Sequence, residues 1–136
     1  IAQEFMPTDY DWRIGVLDGE PLFACKYKMA RGHWQIIKHE ADGKYTEGGF
    51  ETMAIADAPP AVIEIAKKAA NLIGNGLYGI DMKQNENGIF VIEINDNPNL
   101  ETEVEGAVLK DELWRAIIGW FSTRLERRMS AVKVKG

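Results

Sequence analysis

The sequence predicts an α+β domain, an antiparallel β-sheet with helices packed on one face. Three observations lead there. Asp18-Gly19 and the stretch Asn85-Glu86-Asn87-Gly88 each join two apolar-rich runs of strand length, which is the pattern of β-hairpins. Two longer stretches, ending near Ile73 and Met129, repeat apolar residues at helical spacing. Strands and helices do not alternate in the order a parallel sheet requires.

The elements follow in order. Ile1 to Met6 is short and apolar-rich, and Pro7-Thr8-Asp9 breaks it. Asp11 to Leu17 alternates as a strand, turns at Asp18-Gly19, and returns as Pro21 to Lys28. Leu22, Ala24, Lys26 and Lys28 then share one face of the returning strand, with Phe23, Cys25 and Tyr27 on the other. A polar, glycine-bearing excursion runs from Met29 to Phe50, with a short strand expected at Trp34 to Lys38. Excursions of that length inside a domain are usually functional or mobile.

Pro59 to Ile73 reads as a helix, with Asp57 as N-cap and Val62, Ile65, Ala66, Ala69 and Ile73 as its apolar face. Gly74 and Gly76 end it. Leu77 to Gln84 and Ile89 to Asn95 form the second hairpin. Its buried face is expected to carry Tyr78, Ile80 and Met82 against Phe90, Ile92 and Ile94. Leu109 to Met129 is a second amphipathic helix, with a stripe of Leu113, Ile117, Trp120, Phe121 and Leu125, and the tail from Ser130 is expected to fray.

The 136 residues make one domain or a piece of one. The chain begins with Ile1 rather than Met, and its opening residues read like the inside of a strand, so residues 1–136 are expected to be part of a longer protein. A net charge of -5 argues against a general nucleic-acid binder, and an anionic substrate needs a local positive patch. Cys25 is the single cysteine, so no disulfide forms within the chain, which fits a reducing cytoplasmic setting. No run of about 18 apolar residues offers a membrane span.

The chemistry concentrates in the second hairpin. The face opposite the expected core carries Asp81, Glu93 and Asn95, with Asp81 close to opposite Glu93. Two carboxylates facing each other across a strand pair cost roughly 0.2–1 kcal/mol. A divalent cation converts that cost into attraction, and an all-oxygen set suits Mg²⁺ or Mn²⁺ with phosphates completing the shell. A calcium loop is a poor match, because Asp81-Met82-Lys83 lacks alternating acids. Lys26, Lys28 and Arg13 are cations that can meet phosphate. Solvated surface residues account for the same pattern, and His33 and His39 read as solvated loop residues.

These residues resemble the carboxyl-terminal half of an ATP-grasp ligase, nearest to the RimK-like glutamate ligases. The resemblance rests on "QEFMPTDYDWRIGVLDGEPLFACKYK", on "GIDM" and on "VIEINDNPNLE", and it covers the chain to about Phe121. The order Asp, then Glu-x-Asn-x-x-Pro, is its most specific part. The resemblance implies ATP and Mg²⁺ (or Mn²⁺) as cofactors, with Asp81, Glu93 and Asn95 as metal ligands. It implies Gln3, Glu4, Phe5 and Met6 at the adenine and Asp11 at the ribose. It implies Lys26 and Lys28 facing phosphates, Gln35 near nucleotide or acceptor, and Arg13 and Asn97 near the transferred phosphate. The implied reaction joins a carboxylate to an amine through an acyl-phosphate, as in RimK-like glutamate ligation; the alternatives are an ATP-grasp ligase for another carboxylate or peptide, and a non-catalytic nucleotide- or metal-binding module. The amine would belong to an amino acid, and a protein or peptide carboxyl terminus is one candidate carboxylate. No membrane or nucleic-acid partner is implied, and the oligomeric state is open. The chain departs from the RimK pattern in the excursion, which reads "WQIIKHEADGKYTEGG", and at Pro98-Asn99, where that family has Pro-Gly. Both departures bear on the acceptor.

Overall fold

The computed structural model describes residues 4–28, 37–39, 45–47 and 49–133. Gln3, His33 and Gln35, three of the residues singled out above, lie outside them.

Strands β1 (Tyr10–Leu17) and β2 (Glu20–Lys28) form the first hairpin. Asp18 and Gly19 both take positive φ, 54° and 82°, as a two-residue turn matching the right-handed twist of the strands requires. Pairing slips by one residue after Val16↔Pro21, so that Gly15 pairs with Phe23. Pro21 has no N–H to give the ladder, and an irregularity there accommodates it. The Phe23 ring lies over Gly15, where a Cβ would sit 2.1 Å from Phe23 Cε1.

β3 (Ile37–His39) and β4 (Tyr45–Glu47) pair as a separate two-stranded ribbon in the excursion. The strand expected at Trp34 to Lys38 is thus seen as Ile37–His39, its first residues lying outside the described ones. β5 (Phe50–Met53) returns to the main sheet beside β2. A turn of 3-10 helix at Ile55–Asp57 leads into α1 (Pro60–Ile73). Asp57 falls inside that turn rather than capping the helix. The N-cap is Pro59, with Pro60 at the first helical position, where a missing N–H costs nothing. Gly74, at φ 132°, closes the helix with its N–H on the Ala70 carbonyl.

β6 (Leu77–Asn85) and β7 (Gly88–Asn95) make the second hairpin, and β6 also pairs with β1. The sheet order is β5-β2-β1-β6-β7, antiparallel throughout. A bulge follows the Asp81↔Glu93 pair, so Met82 meets Val91 and Ile92 is the extra residue. This corrects the expected packing of β7. The bulge shifts the alternation, and Ile89 and Ile94 pack on the core while Phe90 and Ile92 stay exposed.

The α+β class and the antiparallel sheet are as the sequence predicts. The helices, however, divide between the two faces. α1 buries Val62, Ile63, Ala66, Ala69 and Ala70 against Trp12, Ile14, Val16, Ala24, Tyr78, Ile80 and Met82. Ile73 remains exposed at the helix end. α2 (Asp111–Lys133) sets Leu113 and Ile117 against Leu17, Phe23 and Cys25 on the opposite face. The reason lies in β2, where Phe23, Ala24 and Cys25 are consecutive and all buried. A strand apolar on both faces has to be covered on both. Beyond Trp120 the helix outruns the sheet, so Phe121 and Leu125 of the expected stripe are exposed. The helix also extends through Lys133, past the point where fraying was expected.

Candidate nucleotide and metal site

The register of the sheet decides which residues meet. Arg13 on β1 lies opposite Asp81 on β6, and Asp81 lies opposite Glu93 on β7. Asn95 pairs with Gly79, two residues along the same face. The sheet therefore brings Asp81, Glu93 and Asn95 to one face, together with Asp11 and Arg13 from the neighbouring strand.

Arg13 dominates the local charge. Its Nε donates to Asp81 Oδ1 at 2.8 Å and its Nη2 to Asp81 Oδ2 at 2.8 Å. This fork-on-fork pair is the strongest side-chain geometry available to the two groups. The hydrogen bond to Asp81 is the main reason the Arg13 guanidinium holds its proton more firmly than an ordinary arginine. Arg13 Nη1 also stands 4.0 Å from Glu105 Oε1, and the guanidinium carbon lies 5.2 Å from the centre of the Tyr27 ring.

Glu105 is 2% exposed. It accepts a hydrogen bond from the Tyr27 hydroxyl and another from the Glu101 backbone N–H at 2.9 Å. Burial, then the bond to Glu105, pushes the Tyr27 phenol well above its ordinary value. Beside it, burial raises the Cys25 thiol to about 11, partly offset by its contact with Thr52.

Asp11 is engaged at the end of the same face. Lys83 Nζ donates to Asp11 Oδ1 at 2.6 Å and to Thr8 Oγ1 at 2.8 Å, and Thr8 Oγ1 donates to Asp11 at 2.8 Å. Asn95 Oδ1 accepts the Asn97 N–H at 2.9 Å, an Asx turn that ends β7 and leads to the buried Pro98. Pro98 packs where a Cβ on Gly79 would come within 2.9 Å of it. Asn97 itself is exposed next to this turn.

Lys26 and Lys28 are not brought to this face. Lys26 pairs with Trp12 and Lys28 with Tyr10, on the α1 side of the sheet. The Lys26 ammonium lies 4.9 Å from the centres of both the Tyr10 and Trp12 rings. Their placement opposite the carboxylates corrects the grouping expected from sequence, and its cause is the two-residue alternation of β2 against Arg13↔Cys25. Glu4, Phe5 and Met6 precede β1 without regular secondary structure, with Phe5 largely exposed.

Sequence reasoning missed Glu105, Tyr27 and Lys83 as members of the site. For Lys83 a signal existed, because it is cross-strand from Asp11 once the two hairpins are joined through β1. For Glu105 there was none. It sits in the acidic run Glu101-Thr102-Glu103-Val104-Glu105, which reads as a solvated loop.

The donor set fits a hard divalent cation. Two carboxylates and an amide oxygen on one face leave room for phosphate and water to complete six positions around Mg²⁺. Among the described residues no cluster of three His, Cys, Asp or Glu side chains forms a metal site by itself, so such an ion needs ligands from elsewhere. Arg13 donates to both Asp81 oxygens and supplies one positive charge beside them.

No protein-family model matches the chain. Over 113 residues it is 31% identical to the probable alpha-L-glutamate ligase of Aliivibrio fischeri, covering 82% of this chain and 34% of that protein. It is 30% identical over 102 residues to the D-alanine–D-alanine ligase of Lacticaseibacillus casei, 74% of this chain and 28% of that one. Among solved structures, the D-alanine–D-alanine ligase from Bacillus anthracis superposes with a TM-score of 0.58 at 17% identity, over 91% of this chain and 42% of the other. The ATP-grasp ligase PsnB, in a complex with a phosphomimetic variant of its minimal precursor, Mg and ADP, gives a TM-score of 0.53 at 21% identity, over 79% of this chain and 33% of that one. The chain spans about a third of the length of the curated relatives it matches. On sequence and fold together, it belongs to the ATP-grasp superfamily, within reach of its RimK-like glutamate ligases.

Proposed function

We propose that this chain forms the metal-binding wall of the nucleotide site in an ATP-dependent ligase that joins a carboxylate to the amine of an amino acid. The observation that carries this reading is the shared sheet face of Asp81, Glu93 and Asn95, with Arg13 directly across from Asp81. Glutamate and D-alanine ligases among the relatives support an amino-acid substrate.

Asp81, Glu93 and Asn95 would hold Mg²⁺ against the nucleotide phosphates. When bound, the ion neutralises phosphate charge and fixes the phosphate chain in place. Arg13 would add a positive charge on the same face for the oxygens of the transferred group. Asp11 would accept from ribose hydroxyls after exchanging its bond from Lys83. Glu4, Phe5 and Met6 would line the adenine through backbone groups, with Gln3 and Gln35 completing the nucleotide contacts. Asn97, exposed beside the Asx turn, would meet the acyl-phosphate formed when the substrate carboxylate takes the phosphoryl group. The amine then displaces phosphate, and no covalent protein nucleophile is required; positioning carries the rate. Lys26 and Lys28 lie on the other face and are left out of this arrangement. In this reading residues 1–136 are the carboxyl-terminal part of the ATP-grasp unit, they act in the cytoplasm, and turnover requires the remainder of a longer protein.

The test is a Mn²⁺ titration followed by electron paramagnetic resonance, with and without ADP. The native chain is expected to bind Mn²⁺ more tightly with ADP, and the double variant D81N/E93Q to bind neither alone nor with ADP. Equal binding by both proteins would remove the assignment.

A further inference from the structure

Arg13 sits between two carboxylates of unlike character. Asp81 lies toward the open part of the face, and each side chain of that pair is 23% exposed. Glu105 is buried and pinned from two sides, by the Tyr27 hydroxyl and the Glu101 N–H. Its position is therefore fixed whether or not Arg13 bonds to it. The guanidinium Nη1 stops 4.0 Å short of it, because the fork geometry on Asp81 uses Nε and Nη2.

A divalent cation bound to Asp81 competes with the guanidinium for the same carboxylate charge and repels it. Once a cation takes an Asp81 oxygen, the Arg13 bond to that oxygen is weakened and the guanidinium faces a doubly charged neighbour. Left to itself, a long side chain with that much rotamer freedom would swing into solvent. Glu105 offers an alternative: closing the gap to hydrogen-bond distance is a shift of about 1 Å. The Tyr27 ring, its centre 5.2 Å from the guanidinium carbon, adds a cation–π attraction on the same side.

We propose that Glu105 is a positioning residue that retains Arg13 on the sheet face when a divalent cation displaces it from Asp81. Arg13 is then a stand-in cation in the metal-free protein and a phosphate-facing cation in the loaded one. Glu105 and Tyr27 supply the seat for its second state. This rests on the reading of Asp81 and Glu93 as metal ligands.

The experiment is a thermodynamic cycle on Mn²⁺ affinity, read by electron paramagnetic resonance, for the native chain and the variants R13Q, E105Q and R13Q/E105Q. R13Q is expected to bind Mn²⁺ about three- to tenfold more tightly than the native chain, since it removes the competitor. E105Q is expected to weaken binding by about threefold, and to have no effect once Arg13 is gone. If E105Q acts equally in both backgrounds, Glu105 works by general charge and the proposal falls while the metal site stands. If R13Q and the native chain bind alike, the same conclusion follows. If none of the four binds Mn²⁺ at millimolar concentration, the ligand assignment itself fails and takes the proposal with it.

A second measurement needs no variant. In the native chain labelled with nitrogen-15, saturating Mg²⁺ is expected to move the Arg13 Nε–H resonance while the guanidinium protons stay protected from exchange. An unmoved signal, or protons that exchange freely once Mg²⁺ is bound, overturns the proposal. Should E105Q fail to fold, Y27F removes one of the two groups that pin Glu105 and is expected to shift Mn²⁺ affinity in the same direction.

Discussion

Asp81→Asn separates two opposing effects at one position. Asp81 faces Glu93 across the strand pair, and like charges so placed cost roughly 0.2–1 kcal/mol. By that term alone the amide would stabilise the metal-free fold. Arg13 works the other way. Its two 2.8 Å bonds to Asp81 are charge-assisted and bidentate, a class worth about 1.5–3 kcal/mol when sheltered from water. The pair is 23% exposed at each end, which places it toward the lower bound, about 1.5 kcal/mol. Asparagine keeps one acceptor oxygen and turns the other position into a donor facing a donor.

The arginine term therefore wins, and Asp81→Asn is expected to destabilise the metal-free chain by about 1 kcal/mol. For a domain of this size that lowers the melting temperature by about 3–6 °C. Glu93→Gln is the control, because it relieves the same repulsion without touching Arg13, and it is expected to be neutral or slightly stabilising. The assay is thermal unfolding followed by circular dichroism in chelator, for the two single variants side by side. If Asp81→Asn melts at or above the native temperature, the ion pair carries no net stability and the account of Arg13 as a resident counter-cation is wrong.

Other expectations follow from the packing. Gly15→Ala puts a methyl group 2.1 Å from Phe23 Cε1, and a loss of about 1–3 kcal/mol in urea unfolding is expected from the forced ring shift. Leu113→Ala empties a fully buried position where α2 covers the second sheet face, for about 2–4 kcal/mol; a smaller loss would show that α2 is not docked there. Cys25, raised from 9.0 to about 11 by burial, stays protonated in the fold where the unfolded chain ionises. Its contribution to stability is fully present below pH 9 and is lost as the pH climbs toward 11. Urea midpoints measured across that range should fall, and Cys25→Ala should flatten the fall. Tyr27, also raised, extends the decline to higher pH.

Much of this fold was legible because hairpins are local. Asp18-Gly19 and the Asn85–Gly88 turn each announce their strands, and once β1 pairs with β6 the order of the sheet follows. The shared face of Asp81, Glu93 and Asn95 was legible for the same reason, since a period of two and one turn fix it. What escaped the sequence depended on contacts distant along the chain. The Ile92 bulge redirects half of β7, and no local signal marks it. The side chosen by α2 is set by Phe23 and Cys25, about ninety positions earlier, in a strand whose apolar residues point both ways. The partition of the cations was mixed. Arg13 and Asp81 meet through register alone, whereas Lys26 and Lys28 could be given a phosphate role only while the faces of β2 and β6 were not yet related. Glu105 shows the limit most clearly, because a carboxylate in an acidic loop looks solvated until its partners, Tyr27 and the Glu101 N–H, are known.

The division of the second sheet face explains why the charges gather where they do. Near the β1–β2 turn that face is closed by Leu113 and Ile117 against Leu17, Phe23 and Cys25. At the other end, Asp11, Arg13, Asp81 and Lys83 replace apolar residues on the same side of the same strands. Each of them has an ionic partner. A charged group in a fully covered position would have to be neutralised completely by protein alone. At the open end solvent can do part of that work. The segment from Leu100 to Lys110 runs along the boundary between the two halves. It contributes Leu100 and Leu109 to the apolar cluster and Glu105 to the charged end. The same short stretch thus seals the core and carries Glu105, a buried acid beside Arg13. That coupling predicts that loosening the α2 side, by Leu113→Ala for example, will weaken divalent binding as well as stability. Unchanged Mn²⁺ affinity in a destabilised Leu113→Ala protein would show that the two halves of the face act independently.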